Sequence, residues 1–215
     1  MRCLFLELVL CLAAASAAEV IDRIAVTVAK RVITQSDILL EIRLSAFLNQ
    51  TAPDFGPASR KLTAERLADR ALFDSEMEIG RYTAPQMKEV EPELAALKKE
   101  RYLSEEAYRQ ALTKYRINEE DLRLYLLQQL AVLRFIDARF GPGVQILEPD
   151  VSDYYTGRFV KQWEKTGKGP VPALEEVHGT IEESLRAEQV NRLMDQWLKE
   201  ARSRTRIEFK PEAFQ

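Results

Sequence analysis

The chain has 215 residues, 46% hydrophobic and 30% charged, the balance of a folded globular protein rather than a disordered or membrane-embedded one. Lys and Arg number 31 against 34 Asp and Glu, a net charge of −3 with no long run of one sign, which argues against nucleic-acid binding. Both cysteines, Cys3 and Cys11, lie near the start, and His178 is the single histidine. Disulfides, cysteine metal sites and histidine-based catalysis have little to build on.

Residues 1–18 combine Arg2, an apolar run and the small-residue pattern Ala15-Ser16-Ala17, which reads as a secretory signal peptide cleaved after Ala17 or Ala18. A membrane anchor would need roughly 20 apolar residues. Glu7 interrupts this run, and Leu10 stands before Cys11 where a lipid-bearing cysteine wants a small residue. The mature chain is therefore expected to have no stable membrane anchor.

From Ile21 to Val28 the residues alternate and are β-branched, and Val32-Ile33-Thr34 follows, predicting two short strands around a turn at Lys30-Arg31. Thr34 three positions before Asp37 has capping-box spacing, which predicts a helix over 35–49. Prolines and glycine make 51–57 a loop, and a helix is expected over 59–82, ended by Gly80 and Pro85. Shorter helices are expected over 90–99 and 104–115, the second opened by Ser104. Asn118 introduces the most apolar helix, with Leu122, Leu126, Leu130, Leu133 and Ile136 as one stripe; it should lie at the centre and stop at Gly141-Pro142-Gly143. A brief extended piece over 144–147 leads to a helix from Pro149 to about Glu164. Lys165 to Pro172 is the clearest linker, and a last helix from Leu174 carries Leu185, Val190, Leu193, Met194, Trp197, Leu198 and Ala201 before a possible strand over 205–209.

The segment from Ile21 to Val28 leading into Val32-Ile33-Thr34-Gln35-Ser36-Asp37 resembles the opening of the SurA family of periplasmic folding factors. The likeness extends to Ile146 through Tyr155, with its acidic residues and paired tyrosines, and to the final amphipathic helix followed by Ile207-Glu208-Phe209. The resemblance implies a mainly α fold, a helical chaperone domain like the SurA N-terminal domain and the trigger-factor C-terminal domain, with short N- and C-terminal β-strands. Residues 19–165 would form this domain and 173–215 would complete it, while 166–172 stands where members of the family place a parvulin prolyl isomerase. The resemblance further implies a periplasmic holdase that binds unfolded outer-membrane or periplasmic proteins without catalysis and without a cofactor.

A parvulin site needs paired histidines, and His178 also lacks a G-x-S-x-G elbow or a downstream cysteine nucleophile, so His178 reads as a helix-surface residue. Acidic neighbours such as Glu119-Glu120 and Glu182-Glu183 diverge around a helix rather than converge on a metal. Gly141-x-Gly143 lacks the strand and third glycine of a dinucleotide loop. What remains is apolar surface. Phe47, Phe55, Met77, Tyr82, Met87, Tyr102, Tyr154 and Tyr155, with Leu48 and Trp163, are either core residues or the lining of a client groove, since methionines and aromatics adapt to many partners. Phe55 and Met87, beside prolines in loops, are expected to be the most exposed. The competing expectations are a structural or adaptor protein with one fixed envelope partner or a strand-exchanged homodimer, and a remnant prolyl isomerase.

Overall fold

The computed structural model describes residues 22–166 and 169–214; the expected signal peptide lies outside them. The fold is mainly helical with a small antiparallel sheet, as the sequence predicts. Strands β1 (Ile24–Val28), β2 (Arg31–Thr34) and β3 (Ile207–Phe209) are ordered β2-β1-β3, so both ends of the described chain enter one sheet. Val28 faces Arg31 on one side and Ile207 on the other. The turn falls at Ala29-Lys30, one residue earlier than expected, and Ala29 takes a left-handed conformation with φ 51°.

Helix α1 (Gln35–Asn49) has the expected bounds, because Thr34 Oγ1 accepts from the Asp37 N–H at 3.2 Å while Asp37 accepts from the Thr34 N–H at 2.8 Å. Helix α2 (Pro57–Ile79) starts two residues early on Pro57, which suits a first helical turn, and stops at Gly80. A Cβ at Gly80 would overlap the Tyr82 ring, so the close return of the chain requires glycine there. A 3-10 turn over Met87–Glu89 leads to α3 (Glu91–Arg101) and α4 (Glu105–Tyr115). Helix α5 (Glu119–Phe140) opens with a second reciprocal cap between Asn118 and Asp121, at 2.8 and 3.0 Å.

After a 3-10 turn over Gly141–Gly143, residues 144–147 join no sheet, and Val144 and Leu147 have the extended backbone expected there. Helix α6 (Glu148–Tyr154) passes through a π-helical turn (Tyr155–Phe159) into α7 (Val160–Thr166) without a break. Helix α8 (Leu174–Arg204) is the longest, and a 3-10 turn over Pro211–Ala213 follows β3.

Most of the buried residues fall into two cores, while Val151 of α6 and Ile181 of α8 are buried outside both. The first joins Val26 and Val28 of β1, Ile38 and Ile42 of α1, Ala68 and Phe73 of α2, Phe135 and Phe140 of α5, Trp197 and Ala201 of α8, and Phe214. Trp197 stacks on Phe73 with centroids 5.1 Å apart, and Phe135 meets Phe73 edge-on at 5.7 Å. The second core gathers Leu44 and Phe47 of α1, Leu94 and Leu97 of α3, Tyr108 and Leu112 of α4, and Leu122 and Leu126 of α5. Helices α1 and α5 serve both.

That double duty overturns the single stripe expected along α5. Its buried positions are Leu122, Tyr125 and Leu126 in the first half and Phe135 and Phe140 in the second. At 3.6 residues per turn, the centre of the buried face rotates by roughly a quarter turn between Leu122–Leu126 and Val132–Ile136. Leu133, in line with Leu122 and Leu126, is thereby left 62% exposed.

Candidate functional site

At the seam between the cores lies a buried ion pair. Arg70 of α2 donates through both terminal nitrogens to Glu41 of α1, at 2.8 and 2.9 Å, and also to Gln128 of α5 at 3.3 Å. Its guanidinium lies 5.6 Å from the centre of the Tyr125 ring. The Glu41 side chain is 8% exposed and that of Arg70 18%, so each needs the other: an unpaired buried charge is strongly destabilising. On either side of Glu41 along α1, Ile38 and Ile42 enter one core and Leu44 and Phe47 the other.

Two surface grooves flank this pair, with Arg70 in the wall of both. One, of about 300 Å³, lies among β2, α1, α2 and α5 and is mixed in character, with Arg31, Asp37, Asp74 and Gln128 beside Leu40 and Leu124. Burial raises the Asp74 carboxyl above the ordinary carboxylate value, against the pull of Arg31 and Arg70. Arg31 itself is tied to Ser75 at 3.3 Å and to Glu78. Asp74 accepts from Gln128 at 3.5 Å, and Asp37 is taken up by the cap of α1.

The other groove, also about 300 Å³, lies among α2, α5 and α8. Phe73, Val132, Leu133, Ile136, Met194 and Leu198 form its apolar floor and walls. Arg66, Asp69 and Gln129 form its polar rim, and Asp69 accepts from Arg202 of α8 at 2.5 and 2.6 Å, pinning the third wall. An apolar trough with a polar rim and a deformable methionine can take up extended apolar side chains of varied shape. Its one carboxylate, Asp69, is engaged by Arg202, and among the described residues no group of three or more His, Cys, Asp or Glu is placed to hold a metal ion.

The residues singled out from sequence are placed elsewhere. Phe47 is 1% exposed and is a core residue, surrounded by Tyr102, Tyr108 and Tyr115 at centroid distances of 5.6 to 6.4 Å. Tyr102 and Leu48 pack on the rim of the same core, as does Met87. Phe55, Met77 and Tyr82 pack against the first core, with Arg43 over the Phe55 ring at 5.7 Å and Tyr82 edge-on to Phe135 at 5.0 Å. Phe55 and Met87 are thus half-buried rather than the most exposed. Tyr154 and Tyr155 lie on α6 and the π turn, the first under Arg158 at 5.0 Å and the second stacked on Phe159. The structure does not bring the eight together into one surface. Leu133 was legible as apolar, but its exposure depends on the rotation of the buried face, which no local pattern carries.

His178 sits on α8 with its Nε2 3.0 Å from a Glu148 carboxylate oxygen, and the hydrogen bond to Glu148 raises its pKa above the ordinary 6.5. It holds α8 to α6. Among the described residues no helix is long and apolar enough to cross a membrane. No known protein family and no curated protein matches the sequence.

Proposed function

We propose that this protein is a periplasmic holdase, a chaperone without catalysis that shelters extended segments of unfolded outer-membrane and other envelope proteins. The observation that carries this reading is the apolar groove among α2, α5 and α8, in which Leu133 is 62% exposed in a trough that also holds Met194 and Leu198. A large exposed leucine continuous with an apolar, polar-rimmed trough is the kind of surface that marks an interaction site. The resemblance to SurA-like folding factors and the signal-like residues 1–18 support the compartment and the client class. A holdase acts by mass action on the unfolded state and needs no energy source.

The test is suppression of aggregation of an unfolded outer-membrane protein by the mature chain at stoichiometric excess. Leu133→Asp places a charge in the trough at a residue that belongs to neither core and is expected to reduce suppression at least threefold while the chain stays folded. Full suppression by this variant would remove the groove from the account, and no suppression by the unaltered chain would remove the function.

A second reading, a strand-exchanged dimer, is favoured by the two open edges of the β2-β1-β3 sheet and by Val32, 50% exposed on the β2 edge. Light scattering separates the two, because that assembly doubles the mass.

A further inference from the structure

Along α6 and α7 the rings of Tyr155, Phe159 and Trp163 stack in sequence, with centroids 5.8 and 5.7 Å apart and planes 17° and 27° from parallel. In a regular α-helix, positions four apart drift by roughly 40°, so three such rings would fan out. The π turn over Tyr155–Phe159 winds more slowly and brings the three rings back towards one line. Such turns are uncommon and concentrate at functional sites.

Residues 169–172, Gly-Pro-Val-Pro, run back along this ladder. Trp163 Nε1 donates to the carbonyls of Gly169 at 3.3 Å and Pro170 at 3.1 Å, and the Tyr155 hydroxyl donates to the carbonyl of Pro172 at 2.9 Å. Two ties to α8 fix the direction: Glu148 of α6 meets His178 and Arg158 meets Glu188, so α8 runs parallel to α6 and α7, and residues 169–172 run from Trp163 back to Tyr155. The strap therefore lies antiparallel to the ladder, its carbonyls taken by an indole N–H and a phenol O–H. These are the contacts by which aromatic surfaces recognise extended, proline-bearing peptides: preformed low-entropy backbone, unpaired carbonyls and aromatic donors.

We infer that the Tyr155–Phe159–Trp163 ladder is a binding site for extended proline-containing segments of other proteins, held closed by the chain's own Gly169–Pro172 strap. The strap shows the ligand chemistry, because it is itself a proline-containing segment in place, bent at Gly169, where φ is 104°, and at Pro170 before it runs on to Pro172. Its tethering gives it an effective concentration in the millimolar range, so a segment in trans must displace it. The site is separate from the groove among α2, α5 and α8 and stands whether or not the chaperone reading holds.

The test uses the full mature chain and an acetylated pentapeptide copying residues 169–173, with a control peptide carrying alanine at both prolines. The indole N–H resonances of the two tryptophans report the outcome, since Trp163 is in the ladder and Trp197 is in the first core. Replacing both strap prolines, Pro170→Gly with Pro172→Gly, loosens the strap while keeping its length. The Trp163 resonance of this variant is expected to shift on peptide addition with at least tenfold tighter binding than in the unaltered chain, with the control peptide at least tenfold weaker and Trp197 unmoved. Equal binding to both chains, equal binding of the two peptides, or a shift of Trp197 alone overturns the inference. A doubled mass with loss of peptide binding assigns the site to a second copy and overturns a foreign occupant. Should the double variant lose its Trp197 signal, and with it the first core, Pro170→Gly alone leaves the entry into α8 intact and is expected to tighten peptide binding at least threefold; no change there overturns the inference equally.

Discussion

The two cores differ in how much of the chain they span. The second is assembled from residues 44 to 126, with α1 packing on α4 and α5 and with Tyr108 and Leu122 at its centre. The first closes only when Ile207 has paired with Val28 and Phe214 has reached β1, contacts that span almost the whole chain. Local contacts are reached at low loop-closure cost and distant ones are not, so the second core is the natural early structure and the first the late one.

Two truncations of comparable burial test this order. Leu94→Ala in the second core and Trp197→Ala in the first should each destabilise the protein by about 2 to 5 kcal/mol, with the tryptophan at the upper end. Stopped-flow folding in urea is expected to divide them: Leu94→Ala slows folding, whereas Trp197→Ala mainly speeds unfolding. The reverse partition would show that the sheet forms first.

The seam offers a subtler break. Arg70→Met alone leaves Glu41 buried and unpaired and should cost about 3 to 5 kcal/mol. It should also let the two cores melt separately, seen as two transitions in thermal unfolding. Combining it with Glu41→Leu restores an apolar contact between the cores and is expected to recover most of that loss. If the double variant is as unstable as the single one, the pair contributes through geometry that apolar side chains do not reproduce.

A surface tie crosses the same divide at smaller scale. Glu89, beside the second core, pairs with Arg134 on the first-core half of α5 and caps the Gln86 N–H at 2.7 Å. The Arg134 hydrogen bond, with the backbone one, holds its carboxyl down at about 2, below the ordinary 4.5. A depressed carboxylate stabilises the fold above its ordinary value and loses that contribution as pH falls from 4.5 towards about 2. Carbon-detected NMR titration should show Glu89 titrating near the lower value, and Arg134→Gln should return it towards 4.5.

The contrast between local and distant contacts also governs what was legible in the sequence. The caps at Thr34, Ser104 and Asn118 are local chemistry, and the helices they open begin where the sequence places them. The strand over 207–209 was readable as a strand, but its partner was not, because pairing depends on a register about 180 residues away. The α5 stripe misled for a related reason: periodicity identifies an apolar face but does not reveal that two cores divide it, so Leu133 was assigned inward. Of the site, the individual aromatics were visible, yet Phe47 turned inward among three tyrosines and Leu133 outward, and the strap at 169–172 was legible only as a break in structure. Gly and Pro announce where regular structure ends and do not say what the irregular backbone then lies against.

The sheet that joins both ends of the described chain bears on how the protein can be rewired. Arg23 reaches the carbonyl of Glu212 at 3.2 Å and Gln35 that of Ala213 at 2.9 Å, so the segments around 22 and 214 are neighbours. A short linker can join them, and the chain can be reopened at the exposed Thr51-Ala52 loop between α1 and α2. In such a circular permutant the last-formed pairing of β1 with β3 becomes a hairpin-like local contact, and the slowest closure of the fold becomes one of its quickest.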